Sequence, residues 1–240
     1  VRLSLIIPAY NEAGRIGATV EHVCTYLDAQ RYDWEVVVVI DGDSGGAAAE
    51  AGAAAGGRAN VRVLTNEVNR GKGFSVRRGF AAASGERLVF IDADLSLPVD
   101  GLAPMMARFD DGADVVIASR AVAGSRVVGA PPAMRTVMSR VFNFVVQAIA
   151  VPGFGDTQCG FKGFTAAAAR QVFSRHLSDR FGFDVEALFL ARKLGLRIVE
   201  MPVTCVYHAG SSVNRVGDVV NMLGDVLAVR WRHRGMTNSE

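Results

Sequence analysis

The sequence predicts an α/β protein built on an open, mostly parallel sheet with helices on both faces. Three observations carry that prediction. Short β-branched runs alternate with stretches whose apolar residues recur at helical spacing. Runs such as residues 36–40 are apolar almost without interruption, as strands buried on both faces are. A chain of 240 residues, half of them hydrophobic and 21% charged, suits one large core better than two small ones or a disordered polymer.

The first strand is expected over residues 3–7. A helix follows over 16–27, because Ile16, Val20, Val23 and Leu27 fall on one face. A second strand covers 35–40, and the Ala/Gly-rich tract 45–57 reads as a loose helix or a loop. The alternation continues with a strand over 61–65, a helix over 73–83, a strand over 87–91, a helix over 99–109 and a strand over 114–119. After Arg120 it breaks at the Gly/Pro stretch 124–132, which marks a change of task. An amphipathic helix over 134–149 comes next, then a polar turn over 156–162, a helix over 183–194, a strand over 197–201 and a last helix over 216–230. There is no internal repeat and no low-complexity tail.

Composition removes several functions. A net charge of +2 is too small for nucleic-acid binding, although a few arginines could still serve an anionic ligand. Cys24, Cys159 and Cys205 are far apart and lack C-x-x-C spacing, so neither a disulfide framework nor a zinc site is indicated and a reducing cytosol is the expected compartment. With the first apolar run beginning almost at Val1, no signal peptide is expected. Arg140, Asn143 and Gln147 interrupt the best candidate span, residues 137–151, so the chain is not expected to cross a bilayer.

In open parallel sheets ligands gather beyond the carboxyl ends of the strands. Those ends here carry Pro8-Ala9-Tyr10-Asn11-Glu12, Asp41-Gly42-Asp43, Asp92-Ala93-Asp94 and Ser119-Arg120. Asp92 and Asp94 leave a buried strand side by side, and Mg²⁺ or Mn²⁺ takes one or two carboxylates plus substrate phosphates and water. Solvated loop acids produce the same D-x-D spacing. Asn69-Arg70-Gly71-Lys72-Gly73 precedes a helix; its glycines admit a ligand close to backbone and Lys72 offers a cation for phosphate, while an ordinary helix-capping turn reads the same way. Neither a P-loop G-x-x-x-x-G-K-[ST] nor a G-x-G-x-x-G after the first strand is present, against ATPase and dehydrogenase readings.

Taken together, Ile7 to Glu12, Asp41, Asn69 to Gly73 and Asp92-Ala93-Asp94 resemble inverting family 2 glycosyltransferases of GT-A fold. The run Asp156-Thr157-Gln158-Cys159-Gly160-Phe161-Lys162 looks like the branch of dolichyl-phosphate glucosyltransferases and bacterial polyprenyl-phosphate glycosyltransferases. The resemblance implies a single domain over residues 1–235, with a nucleotide-sugar half (1–120), an acceptor half with interfacial helices (121–235) and a tail (236–240). It implies that Pro8, Tyr10, Asn11, Glu12 and Asp41 line the nucleotide pocket with Lys72 and Asp92 nearby. Asp92 and Asp94 are the acids around Mg²⁺ or Mn²⁺, with Asp94 ahead of Asp92 as direct ligand. Some mannosyl relatives carry a glutamine two positions later; here it is Ser96.

By the same resemblance Arg120, Arg135 and Ser139 hold the acceptor phosphate. Arginine forks match phosphate oxygens, and a spacing of four puts Arg135 and Ser139 on one helix face. Arg126 and Arg140 read as solvated. Asp156 stands as a further acid beside the sugar, orienting hydroxyls, accepting a proton, or simply capping a turn. Asp184 and Glu186 rank lower as acceptor-side acids, and His208 as a group reaching the diphosphate; His22 and His233 carry no role. The implied reaction is metal-dependent inverting transfer of a hexose, UDP-glucose first, to polyprenyl or dolichyl phosphate. GDP-mannose, an N-acetylhexosamine donor, a soluble or polysaccharide acceptor, and a non-catalytic nucleotide-sugar or membrane-binding module are the alternatives. The helices over 134–149 and 216–230, with Trp231 and neighbouring arginines, suit the cytoplasmic face of a membrane, alone or with a separate membrane-anchoring protein; helices packed on a core look much the same.

Overall fold

The computed structural model describes residues 1–43, 45–129, 133–180, 182–207 and 216–236, and of 133–136, 139–140 and 216–223 the backbone only. In chain order the elements are β1 (Leu3–Ala9), α1 (Ile16–Asp28), β2 (Trp34–Asp41), α2 (Ala47–Ala55), β3 (Val61–Asn66), α3 (Lys72–Ala82), β4 (Arg87–Ile91), α4 (Leu102–Asp110, entered through a 3₁₀ turn at Val99–Gly101), β5 (Val115–Ser119), β6 (Arg126–Val128), α5 (Ala133–Ile149), β7 (Phe161–Thr165), α6 (Ala166–Phe173), α7 (Phe183–Lys193), β8 (Ile198–Pro202), β9 (Thr204–Val206) and α8 (Val216–Arg232).

Seven strands form one sheet in the order β3-β2-β1-β4-β7-β5-β8, parallel throughout except for β7, which runs antiparallel to both β4 and β5. The period-2 alternation of a strand sorts its side chains to two cores. Val36, Val38 and Ile40 join the α1, α2 and α4 side, with Ile16, Val20, Val23 and Leu27 fully buried there. Val37 and Val39 join the side of α3, α5, α6, α7 and α8, where Phe80, Phe90, Phe164 and Phe183 pack. Each such buried apolar side chain stabilises the fold by about 1.5–3 kcal/mol. The order reverses between β1 and β4, and the crevice at that switch point is where such sheets take ligands.

The tract 45–57 resolves to a helix. Asp43 accepts hydrogen bonds from the first amides of α2 at Ala47 and Ala48, Gly56 ends it at φ +59°, and Glu50 reaches back to Gly14 N and Gly17 N. The polar turn expected over 156–162 is shorter than expected, because Phe161 already begins β7. Lys162, fully buried, disguised that strand. Helix α6 was not expected either: Thr165 caps it through Ala168 N, a signal lost in the alanine run. β6 and β9 form a small separate parallel pair. Among the described residues no helix is long and apolar enough to cross a membrane.

Candidate active site

The ends of β1, β2, β4 and β5 meet at one edge of the sheet, and antiparallel β7 brings its leading loop to the same edge. Past β1, Tyr10 is exposed and Asn11 turns into the left-handed region at φ +56°, a conformation asparagine tolerates, which turns the chain toward Glu12. A cavity of about 190 Å³ opens here, lined by Asn11, Glu12, Ile40, Gly42, Asp43 and Ala47 among others. Pro8 lies within β1 opposite Val39. Burial, together with Asp94 and Asp92, pushes the Glu12 carboxyl above the usual carboxylate range against the opposing pull of Arg15.

Asp41 is buried, and its oxygens accept hydrogen bonds from Asn66 Nδ2 (2.7 Å), Arg70 N (2.8 Å) and Gly71 N (2.7 Å). It shapes the 69–71 turn from beneath. Gly71 has φ +101°, and a Cβ on it would lie 2.4 Å from Asp179 O, so no other residue fits there. That turn delivers Lys72 at the start of α3, with Nζ 2.5 Å from Asp92 Oδ1 and 5.6 and 5.7 Å from the ring centres of Phe90 and Phe183. Burial disfavours the ammonium, but Asp92 and Asp184 together outweigh it and raise the Lys72 pKa.

Three contacts fix the backbone from Asp92 to Ser96. Asp92 N donates to Gly160 O, Thr19 Oγ1 donates to Ala93 O, and Val206 N donates to Ser96 O. Leu95 sits at φ +47°, a strained position for a branched side chain, and Asp94 Oδ1 accepts from Ser96 N at 2.9 Å. Asp92 Oδ2 lies where a Cβ on Gly160 would be only 1.9 Å away. Asp92 and Asp94 offer carboxylate oxygens, the donor type that a hard divalent cation takes alongside phosphate and water; among the described residues no group of three or more His, Cys, Asp or Glu is placed to hold a metal unaided.

On the β5 side, Arg120 and Asp156 form a bidentate pair, Nε to Oδ2 at 2.6 Å and Nη2 to Oδ1 at 3.0 Å, with Arg120 N also donating to Asp156. Burial alone would raise the Asp156 carboxyl; the guanidinium more than offsets it and holds the pKa below the usual aspartate range. A carboxylate so held is a poor proton acceptor, so of the roles open to Asp156 the geometry favours fixing Arg120. Glu200, which the sequence did not single out, accepts from Gly155 N and Asp156 N and holds this loop from below.

Asp184 and Glu186, ranked lower as acceptor-side acids, are both buried and engaged by partners. Asp184 is buried with its carboxylate 2.5 Å from Lys162 Nζ, which also donates to Cys159 O. Glu186 is fully buried, accepting from Leu177 N and Ser178 N and lying 2.7 Å from His233 Nε2, so His233 has a structural role after all. Arg126 is exposed on β6, as expected. Arg135 and Ser139 occupy α5, but their side chains lie outside the described residues, as do that of Arg140 and all of His208. Gly160 and Lys162 stand in the 156–162 run that carried the resemblance, but their roles toward Asp92 and Asp184, like that of Glu200 toward the 155–156 loop, depend on partners far away in the chain.

The model of glycosyl transferase family 2 matches residues 4–173. The chain belongs to this family. As a family 2 glycosyltransferase it is similar to the dolichyl-phosphate beta-glucosyltransferases of Drosophila melanogaster, at 34% identity over 97% of this chain and 76% of the relative, and of Homo sapiens, at 31% over 97% and 76%. Among solved structures it resembles the Mycobacterium tuberculosis glucosyl-3-phosphoglycerate synthase in complex with Mn²⁺, UDP-glucose and phosphoglyceric acid, with a TM-score of 0.70 at 19% identity, covering 99% of this chain and 81% of that one. The same enzyme with Mg²⁺ and UDP gives a TM-score of 0.67 at 20% identity, over 96% and 79%. These neighbours bear out the GT-A fold expected for the family 2 chain.

Proposed function

We propose that this family 2 glycosyltransferase moves glucose from UDP-glucose to the phosphate of a polyprenol such as dolichol, inverting the anomeric centre, with Mg²⁺ or Mn²⁺ held by Asp92 and Asp94. The observation that carries the reading is the convergence at one sheet edge of that acid pair, the Lys72 ammonium and an arginine fork pinned by Asp156. The names of the curated relatives support the donor sugar and the acceptor, and the ligands of the mycobacterial neighbour support the nucleotide and the cation.

When bound, the cation would neutralise charge building on the departing diphosphate. Pro8, Tyr10, Asn11 and Glu12 line the nucleotide, Asp41 sets the turn that presents Lys72, and Lys72 donates to the diphosphate. Arg120, Arg135 and Ser139 hold the acceptor phosphate. Its oxygen is already anionic, so attack on the sugar needs placement more than a strong base, which agrees with an Asp156 committed to Arg120. Val137, Val141 and Phe144 form an exposed strip on α5, and α8, which packs on α5, exposes Leu227 and Trp231. That strip would lie on the cytoplasmic face of the membrane holding the lipid.

The test supplies the chain with labelled UDP-glucose, a short polyprenyl phosphate and Mn²⁺ and counts organic-extractable label. Extractable product that is lost with chelator and in Asp94→Asn supports the reading. Label only in a water-soluble acceptor such as phosphoglyceric acid sinks the lipid acceptor, and faster turnover with GDP-mannose or UDP-N-acetylglucosamine sinks the donor.

A further inference from the structure

One of the two acids assigned to the cation is already engaged. Asp92 Oδ1 lies 2.5 Å from Lys72 Nζ, and Oδ2 is seated against Gly160, where a Cβ would come within 1.9 Å. A divalent ion approaching Asp92 therefore meets an ammonium on one oxygen and backbone behind the other. Two cations on one carboxylate repel, and in a half-buried crevice water screens that repulsion poorly. The charge of Lys72 does not depend on Asp92 alone: the rings of Phe90 and Phe183 flank its Nζ, and the Asp184 carboxylate, held by Lys162 at 2.5 Å, favours it as well.

We propose that Lys72 is a built-in counter-ion to Asp92 that competes with the divalent cation and yields the carboxylate readily once a nucleoside diphosphate arrives to receive the ammonium, so that the donor promotes entry of the metal. The inference rests on the metal reading given under Proposed function. Its consequence is a thermodynamic coupling: the diphosphate tightens metal binding partly by drawing Lys72 away, over and above supplying oxygen ligands. Removing the ammonium should therefore strengthen metal binding in the absence of nucleotide, the reverse of what loss of a simple phosphate-binding lysine would do.

The experiment titrates Mn²⁺ into the full chain and follows free Mn²⁺ by electron paramagnetic resonance, with and without UDP, for wild type and Lys72→Met. Asp184 keeps its Lys162 partner in that variant, so no buried charge is orphaned. Wild type is expected to bind Mn²⁺ weakly alone and more tightly with UDP. The variant should bind Mn²⁺ alone about tenfold tighter than wild type, the effect of removing a cation next to a carboxylate, and gain less from UDP. Mn²⁺ alone should also raise the melting temperature of the variant more than that of wild type. A folded variant that binds Mn²⁺ no tighter than wild type, while wild type binds with UDP, overturns the counter-ion role alone. A wild type that takes up no Mn²⁺ even with UDP overturns the metal assignment and this inference with it. Should Lys72→Met fail to fold, Lys72→Gln makes the same comparison.

Discussion

Gly160 shows how a residue with no side chain can control one that has chemistry. The Asp92 carboxylate occupies the space that any Cβ at position 160 would need. Gly160→Ala is therefore expected to fold but to turn Asp92 out of place, lowering kcat about a hundredfold, the usual cost of a displacement near 1 Å in a reacting site. Steady-state kinetics beside a melting curve separates this from unfolding. Asp156 makes a pH prediction. Its pKa is lowered on folding, so its contribution to stability is complete above the ordinary aspartate range and is lost as pH falls through the depressed value. Asp156→Asn should flatten that acid limb in urea titrations at stepped pH, and should raise the acceptor KM by freeing Arg120. The placement of Asp92, Asp94, Lys72 and the Tyr10-Asn11-Glu12 run at one sheet edge was legible because polar and charged residues there follow apolar strands. The role of Gly160, although the residue stands in the 156–162 run, was not, because its meaning is the absence of an atom beside a residue 68 positions away.

At the scale of elements, β7 decides the geometry. It alone runs antiparallel in the large sheet, so its leading loop, with Asp156 and Gly160, arrives at the same edge as Asp92 and Arg120. The anchor of that loop is the Lys162–Asp184 pair joining β7 to α7. Lys162→Met leaves Asp184 buried without a partner and should cost about 3 kcal/mol or more, whereas Lys162→Met with Asp184→Leu should recover most of the loss, as measured by chemical denaturation. A second tie joins α7, the loop before it and the end of α8. Glu186 faces His233 and His176, with Arg77 and Asp184 also acting on His176. Burial lowers the His176 pKa despite Glu186, so the neutral ring belongs to the fold. Stability should be full above the ordinary histidine value of about 6.5 and decline as pH falls through it, and His176→Gln should remove that slope in denaturation curves between neutral and mildly acidic pH.

For the whole molecule, the two faces of the sheet have different tasks. The face bearing α1, α2 and α4 is core. The other also carries α5 and α8, whose exposed Val137, Val141, Phe144, Leu227 and Trp231 give it an apolar outer surface. Phe144→Ser with Trp231→Ser should leave the melting temperature near that of wild type and reduce partition onto anionic vesicles by about tenfold or more, since each large apolar side chain withdrawn from water is worth about 1.5–3 kcal/mol. Vesicle cosedimentation measures this directly, and undiminished binding would remove these helices from the membrane reading.

The alternation of apolar runs by itself determined the class of fold, most of its elements and the rim where acids gather, because strand and helix periods and the polarity break at a strand end are local properties of a chain. Only the tertiary structure decided which partner each acid has. Asp41, Asp156, Asp184 and Glu186 look alike in the sequence, yet each is committed to a partner brought in by strand order and loop closure. Pairing of buried charge depends on distance in space, and nothing in the spacing of residues 162 and 184, or 120 and 156, encodes it.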